Sequence, residues 1–476
     1  MPDRTATIPA TIPATVAATV AALALSAALL CLPALYNGFP LVFSDTGTYI
    51  AQALQGFAGG NRPVFYSLFM MPLHGGGVTL WPVVVAQALI VAHLLHLVLR
   101  TTVPGAGPWW TPAVTALLTV GTSLPWHAGQ LMPDVFTSVL VLAAFLLGFC
   151  LDRLSRVEAA YLVLLATGAV AVHFSHVPLA AGLLLVVLAV RLVRRDPVAE
   201  TLRAGLALAA PVVLAVVAMV SVTKAAHGEA RMARDGDLFL LARMLSDGPA
   251  RDYLADACPA KPYRLCPYLD GITPDSNDFL WKTDSPLYKA GGPQAVREEA
   301  GEIIRGTLAA YPGRQALAAL RNFATQFVTA RSADRLHPFL GADVQPDPSI
   351  RQHFPASHAA YTASLQSTGR LPIDAIRRLH GPLTLAGAAA AVAGLAWFLR
   401  RGDRHGTALF VVILAGLAGN AFITGALSSV RDRYQSRVVW LVVFFALAAG
   451  LSALLSRQKE RGRQRALPAP EGVPNR

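Results

Sequence analysis

VVWLVVFFALAAGLSALLS, residues 438–456, is followed at once by RQKERGRQR, residues 457–465. A lipid-spanning helix needs about 20 predominantly apolar residues. This run is long enough, carries no charge, and ends in a basic cluster of the kind that marks the cytoplasmic end of a span. It is therefore read as the last membrane helix, entering a basic cytoplasmic tail.

The same pattern repeats back along the chain. Apolar runs fall near residues 14–35, 78–100, 111–126, 131–150, 158–174, 178–193, 203–223, 381–399, 406–427 and 438–456. The first has only Arg4 before it as a basic residue, which fits a retained anchor better than a cleaved signal. The chain is 54% hydrophobic and 14% charged, against about 25% charged in an average globular domain. The expected fold is an all-α polytopic membrane protein with about ten spans. The formal charge of +12 does not point to nucleic acid, because the basic residues sit in short loops and form no aromatic-interleaved face.

Arg100, Arg153, Arg156, Arg191, Arg194, Arg195, Arg400, Arg401 and Arg404 fall at alternate span ends, on the side of the tail. The positive-inside rule makes that side cytoplasmic and puts both termini there. The expected organisation is an N-terminal module of about seven helices over 1–223, an outer loop domain over 224–380, a three-helix module over 381–456 and a basic tail over 457–476. The outer face then receives 36–77, 127–130, 174–178, 224–380 and 428–437. In an oxidising outer location, Cys258 and Cys266 of CPAKPYRLC read as a short-loop disulfide. Cys31 and Cys150 read as small core residues.

Within the outer face, residues 45–57 and 64–73 read as two helices lying along the membrane surface, separated by Gly59, Gly60 and Pro63. In the large loop, 293–310 and 313–329 are helical candidates, and 333–375 reads as irregular. Five places carry chemistry. Asp45 is a carboxylate at a membrane boundary, fit for general-base work or for capping the next helix. Arg62 suits an anionic oxygen or a lipid headgroup. Asp134, with His127 before it, opens a helix at membrane depth, where ionisable groups are costly. His173 and His176 would serve a metal only with a carboxylate beside them, and no HExxH signature is present. Arg431, Asp432, Arg433, Tyr434 and Arg437 break the positive-inside pattern. Three arginines outside call for an anion, or for ion pairs with the large loop.

Four passages resemble the GT-C class of membrane glycosyltransferases, which includes the protein O-mannosyltransferases and the lipid A aminoarabinose transferases. FSDTGTYIAQALQGFAGGNRPVFYSLFMMPLH (43–74) is similar to their first outer loop. QLMPDVFTSVLVL (130–142) is similar to their acidic fourth-span start, EIIRGTLAAYPGRQALAALRNF (302–323) to a helix-Pro-helix stretch of their outer loop, and VRDRYQSRVVW (430–440) to a late Arg-Tyr motif. The resemblance implies a polyprenyl-phosphate sugar donor, a lipid, glycan or protein acceptor, and a bacterial-type cytoplasmic membrane with its active face periplasmic. It implies that Asp45 is the catalytic base and that Arg431, Arg433, Arg62, His173 and His176 hold the donor phosphate. Asp134, Tyr49, Tyr434 and His127 would position substrate. The first outer loop has one acidic residue where several members of the class have a pair, so no metal ion is carried over and no cofactor is expected. A polymerase or ligase of lipid-linked glycans would use similar outward arginines, without needing the Asp45 loop. A secondary transporter would need polar or broken helices near the midplane.

Overall fold

The computed structural model describes residues 11–466. Among them there is no β-strand, only one isolated bridge between Leu41 and Gln130. The bundle helices are α1 (Thr11–Leu30), α2 (Ser44–Gln55), α3 (Phe65–Met70), α4 (Trp81–Thr102), α5 (Trp110–Gly121), α6 (Val135–Phe149), α7 (Arg156–Ala171), α8 (His176–Val193) and α9 (Val198–His227). The long loop contributes α10 (Gly236–Asp247), α11 (Gly292–Ala310), α12 (Pro312–Val328) and α13 (Asp347–His353), with shorter turns between them. The chain then returns through α14 (Ile373–Arg400), α15 (Arg404–Leu427) and α16 (Asp432–Ala466).

Each of the ten apolar runs falls on one of these helices. Six of them (α4, α8, α9, α14, α15 and α16) are long and apolar enough to cross a membrane. The protein is a helical, membrane-embedded one. The stretch Ala14–Leu30 of α1 and the helices α5 and α6 are apolar but shorter. Every residue of α6 is buried, so this helix is the axis around which the others pack. Glycine permits the closest approaches. A Cβ on Gly416 of α15 would stand 2.6 Å from the Val141 side chain of α6, and one on Gly394 of α14 would stand 2.7 Å from Ala449 of α16. Small residues of this kind let apolar helices touch backbone to backbone where no hydrophobic effect drives them together.

The two ends of the bundle differ. At one end, Arg100 pairs with Glu158 at 2.8 Å, Arg191 with Asp196 at 3.4 Å, Arg404 with Asp196, and Arg401 with Glu460 at 2.8 Å. The basic residues read as topology signals are thus gathered on one face and tie helix ends together. The opposite end, called here the loop face, carries α2, α3 and the long loop.

Part of the long loop forms its own small core of Leu238, Leu241, Phe279, Val296 and Ile303. Cys258 and Cys266 are disulfide-bonded at its edge. Closing so short a loop contributes about 2–3 kcal/mol in the chain-entropy picture. Replacing both cysteines with alanine is expected to destabilise this core by that amount, read as an earlier thermal transition in Trp281 fluorescence.

Some boundaries differ from the sequence reading. The long loop ends near residue 372 rather than 380, because α14 starts at Ile373. Asp374, Arg377, Arg378 and His380 give its first turns a polar character that reads as loop. The run 111–126 is helical only to Gly121, and Leu124–Ala128 is a separate turn. The stretch 333–375, expected to be irregular, contains α13 and a second short helix, Pro355–Ala363. Each begins at or beside a proline, which pre-sets helical φ at a first turn.

Candidate active site on the loop face

The first outer loop is zipped onto the start of α6. The Leu41 amide donates to the Gly129 carbonyl at 3.0 Å, and the Leu131 amide donates back to Leu41 at 2.8 Å. Thr46 Oγ1 accepts from the Phe43 amide and donates to the Leu131 carbonyl, each at 3.0 Å. Thr46 therefore caps α2, and Asp45 is left free for another task.

That task is Arg62. Its Nε donates to Asp45 Oδ2 at 3.0 Å and its Nη2 to Oδ1 at 3.1 Å, a two-pronged fork. Its Nη1 donates to the Asn61 carbonyl at 2.8 Å. The guanidinium lies 5.6 Å from the Trp281 ring centroid, so the long loop covers this pair. Burial works against the charged form of Arg62, but Asp45 outweighs it and holds the guanidinium firmly protonated.

A second charged group lies beside the first. Asp134, 2% exposed, stands 3.7 Å from Arg433 Nε and accepts from Arg437 Nη1 at 3.3 Å. Arg437 is fully buried, and its Nη2 donates to Asn420 Oδ1 at 2.8 Å. The Arg433 guanidinium lies 4.2 Å from the Phe43 centroid and 5.2 Å from that of Tyr434. Arg437 lies 5.3 Å from the same Tyr434 ring. Two guanidiniums thus share one carboxylate, and each keeps a buried nitrogen with no partner: Arg433 Nη1 and Arg437 Nε.

Tyr49 links the two groups. It is buried edge-on against Tyr66, centroids 4.9 Å apart. Burial and then Asp45 push its hydroxyl pKa well above the usual value, and the charges of Arg62, Asp134 and Arg433 act on it as well. Asp45, Tyr49, Arg62, Asp134, Arg433 and Tyr434 are therefore brought together at one end of the bundle.

Other expected residues fall at the margin. His127 Nε2 pairs with Ser436 Oγ at 3.0 Å, and its Nδ1 is buried without a partner. His176 is satisfied by Thr137 Oγ1 at 2.7 Å and the Ala169 carbonyl at 2.6 Å, so it is a core histidine. His173 stacks on it at 5.1 Å and meets Ser175 Oγ at 2.8 Å, with the charges of Arg437, Arg62 and Arg433 in reach. No cluster of three or more metal-ligating side chains is present among the described residues. Arg431 is engaged elsewhere. Its Nη2 donates to Asp275 at 2.6 and 2.7 Å, and its amide donates to Gln326 Oε1 at 2.8 Å. It belongs to the ion-pair alternative and fastens the long loop to α16. Arg431 pairing and the Asn277 amide pull Asp275 below the ordinary carboxylate range against the effect of burial.

Several residues with a part in this arrangement carry no sequence signal. Gln87 receives the Tyr66 hydroxyl at 2.7 Å and donates to the Ala128 and Gln130 carbonyls at 2.9 Å. Gln366 accepts from the Val42 amide at 3.0 Å and donates to the Val42 carbonyl at 2.9 Å. Arg437 did have a signal. It lies four residues after Arg433, so both face the same side of a helix.

The segment 337–368 covers α2. A Cβ on Gly47 would collide with the end of the Gln345 side chain, so glycine is what lets that side chain lie close against α2 as it does. The segment is anchored by Asp347, 3% exposed at its side chain, which accepts from the Gly341 amide at 2.9 Å, from Arg351 at 3.1 Å and meets His358 Nε2 at 2.7 Å. Burial raises the Asp347 pKa, but Gly341, His358 and Arg351 outweigh it and hold the carboxyl below its usual range. A depressed folded-state value contributes stability that is complete above the unfolded value of about 4 and is lost as pH falls through the folded value. Amide-exchange protection of residues 341–363 is accordingly expected to persist at neutral pH and to be lost below about pH 4. Asp347→Asn should lack part of that protection at pH 7 already.

No family model matches the chain, and no curated protein or solved structure is similar to it.

Proposed function

We propose that this protein is a GT-C-like membrane glycosyltransferase with ten spans and both termini in the cytoplasm. It would move a sugar from a polyprenyl phosphate to an acceptor hydroxyl on the opposite face. The observation that carries this reading is the pairing of Asp45–Arg62 with the Arg433–Asp134–Arg437 group around Tyr49. A carboxylate near the surface stands beside a buried site that holds more positive than negative charge and has two unspent N–H donors. Such a site suits a phosphate whose charge grows as its bond to the sugar breaks, because fixed charges count for more where water is excluded.

In this mechanism the acceptor O–H proton passes to Asp45. The acceptor oxygen bonds to the sugar C1 with inversion, and the C1–O bond to phosphate breaks with its electron pair going to polyprenyl phosphate. Arg433 and Arg437 meet the leaving oxygens. Both oxygens of Asp45 accept hydrogen bonds from Arg62, so in this mechanism Arg62 turns from Asp45 to the donor phosphate before the base can act. That gives Arg62 a role in both half-sites. Arg431 has none, being held by Asp275.

The gathering of these groups at one end of the bundle favours a transferase over a transporter, whose ionisable groups would line a path through the membrane. The test is a comparison of lipid extracts from a deletion strain and its parent by mass spectrometry. Accumulation of one polyprenyl-phosphate sugar is the expected result. Unchanged lipid-linked sugars and unchanged envelope glycans would refute the proposal.

A further inference from the structure

A second basic pocket has Arg62, but not Asp45, in its lining. Its polar lining is Arg62, Arg234, His227, the backbone of Gly59 and Gly60, and Thr223, whose hydroxyl is spent on the Met219 carbonyl at 3.0 Å. Its apolar wall comes from Met219 and Val222 of α9, with Phe65 and Phe174. The pocket is built rather than incidental. A Cβ on Gly60 would stand 2.7 Å from Asp235 Oδ2 and 3.5 Å from Arg234 Cβ, so this loop packs closely on the Arg234–Asp235 turn. Asp235 is itself held by Arg297 at 3.1 Å.

The polar groups facing this space are under-used. His227 Nε2 is buried with no hydrogen-bond partner, and the buried Arg234 Nε has only an ion-pair contact with Glu229 Oε1 that falls short of hydrogen-bond geometry. The Gly59 and Gly60 amides donate to no other group of the described chain. The nearest carboxylate to Arg234, Glu229, stands at 3.4 Å and is shared with Arg231 at 3.5 Å. The carbonyl end of α9 disfavours an anion, but Lys224 and His227 in its last turn oppose that effect.

The pocket sits at the end of a spanning helix that is mostly uncovered by protein: only 22% of its apolar window is buried, and Val213 and Val217 are exposed. A basic pocket above a lipid-facing apolar wall has the composition of a lipid headgroup site. We propose that it binds the phosphate of an anionic lipid in the loop-face leaflet, with Arg234 and His227 on the phosphate and the acyl chains running down α9. This inference stands on the pocket alone and does not require the transferase reading.

The test uses the full chain in nanodiscs of phosphatidylcholine doped with phosphatidylglycerol, followed by native mass spectrometry of the lipid retained. Wild type should retain phosphatidylglycerol over phosphatidylcholine by at least about tenfold, and Arg234→Ala and His227→Ala should each remove most of that preference. Arg314→Ala, on α12 and paired with Asp252, should leave it intact. Should Arg234→Ala fail to fold, His227→Ala carries the test. Equal retention of both lipids by wild type, or unchanged retention by a folded Arg234→Ala or His227→Ala, would overturn the proposal. Displacement of the bound lipid by millimolar inorganic phosphate would overturn the lipid assignment in favour of a free anion. Sugar transfer is not read in this experiment, so its failure leaves the catalytic reading where it stands.

Discussion

Asp134→Ala is expected to cost about 3–5 kcal/mol, the usual penalty for removing one partner of a buried ion pair. The reason is the charge left behind. Arg437 is fully buried and the Arg433 side chain is 11% exposed, and among the described residues Asp134 is the only carboxylate within ion-pair distance of either. Without it, two guanidiniums face each other across Tyr434 with no compensating charge. Against a total stability of about 5–15 kcal/mol, that loss should lower the melting temperature in detergent sharply and reduce the amount recovered in the membrane. Removing the charges together should be far milder, because a buried ion pair is seldom more stabilising than an apolar replacement of its volume. Asp134→Leu combined with Arg437→Met is therefore expected to recover much of the stability while remaining inactive. If Asp134→Ala melts like wild type, the buried charge balance described here is wrong.

Asp45→Asn is expected to leave folding nearly untouched and to lower transfer by about 10²–10⁴-fold, the usual contribution of a positioned general base. The Asp45 and Arg62 side chains are 18% and 19% exposed, and asparagine still accepts one hydrogen bond from Arg62. A stability change within about 1 kcal/mol follows from the modest worth of such partly solvated pairs. Substrate binding should persist, because the donor phosphate is held by Arg433 and Arg437 rather than by Asp45. The result that separates a base from a mere partner of Arg62 is therefore a fall in turnover at saturating donor. A rise in the donor KM alone would make Asp45 a positioning residue.

The sequence is legible here to different depths. Apolar run length and arginine placement are local properties, so each of the ten apolar segments could be matched to a helix from the chain alone. Asp45 and Arg433 stood out because a carboxylate beside a span and arginines on the wrong face are costly, and cost is visible in one dimension. What each charge touches is not. Arg431, just before α16, and Arg433, in its first turn, are two residues apart, yet they turn to different partners, Asp275 in the long loop and Asp134 at the start of α6. The reading of ion pairs with the long loop applies to Arg431, and the anion reading is proposed for Arg433. Gln87 and Gln366 could not be singled out, because a lone glutamine becomes informative only when long-range packing places it on a backbone edge. His176 shows the reverse case: paired with His173 in sequence it suggested a ligand, and in the fold its two nitrogens are spent on Thr137 and Ala169.

Sugar transfer is tested by following the lipid-linked sugar itself. Purified wild-type protein and Asp45→Asn would be placed in proteoliposomes with a panel of polyprenyl-phosphate sugars and a membrane lipid extract as acceptor. Release of polyprenyl phosphate would be followed by mass spectrometry. Wild type should consume one donor and release polyprenyl phosphate together with a glycosylated product, and folded Asp45→Asn should release almost none. Equal release by the two proteins, or intact donor across the whole panel with wild type, would contradict it.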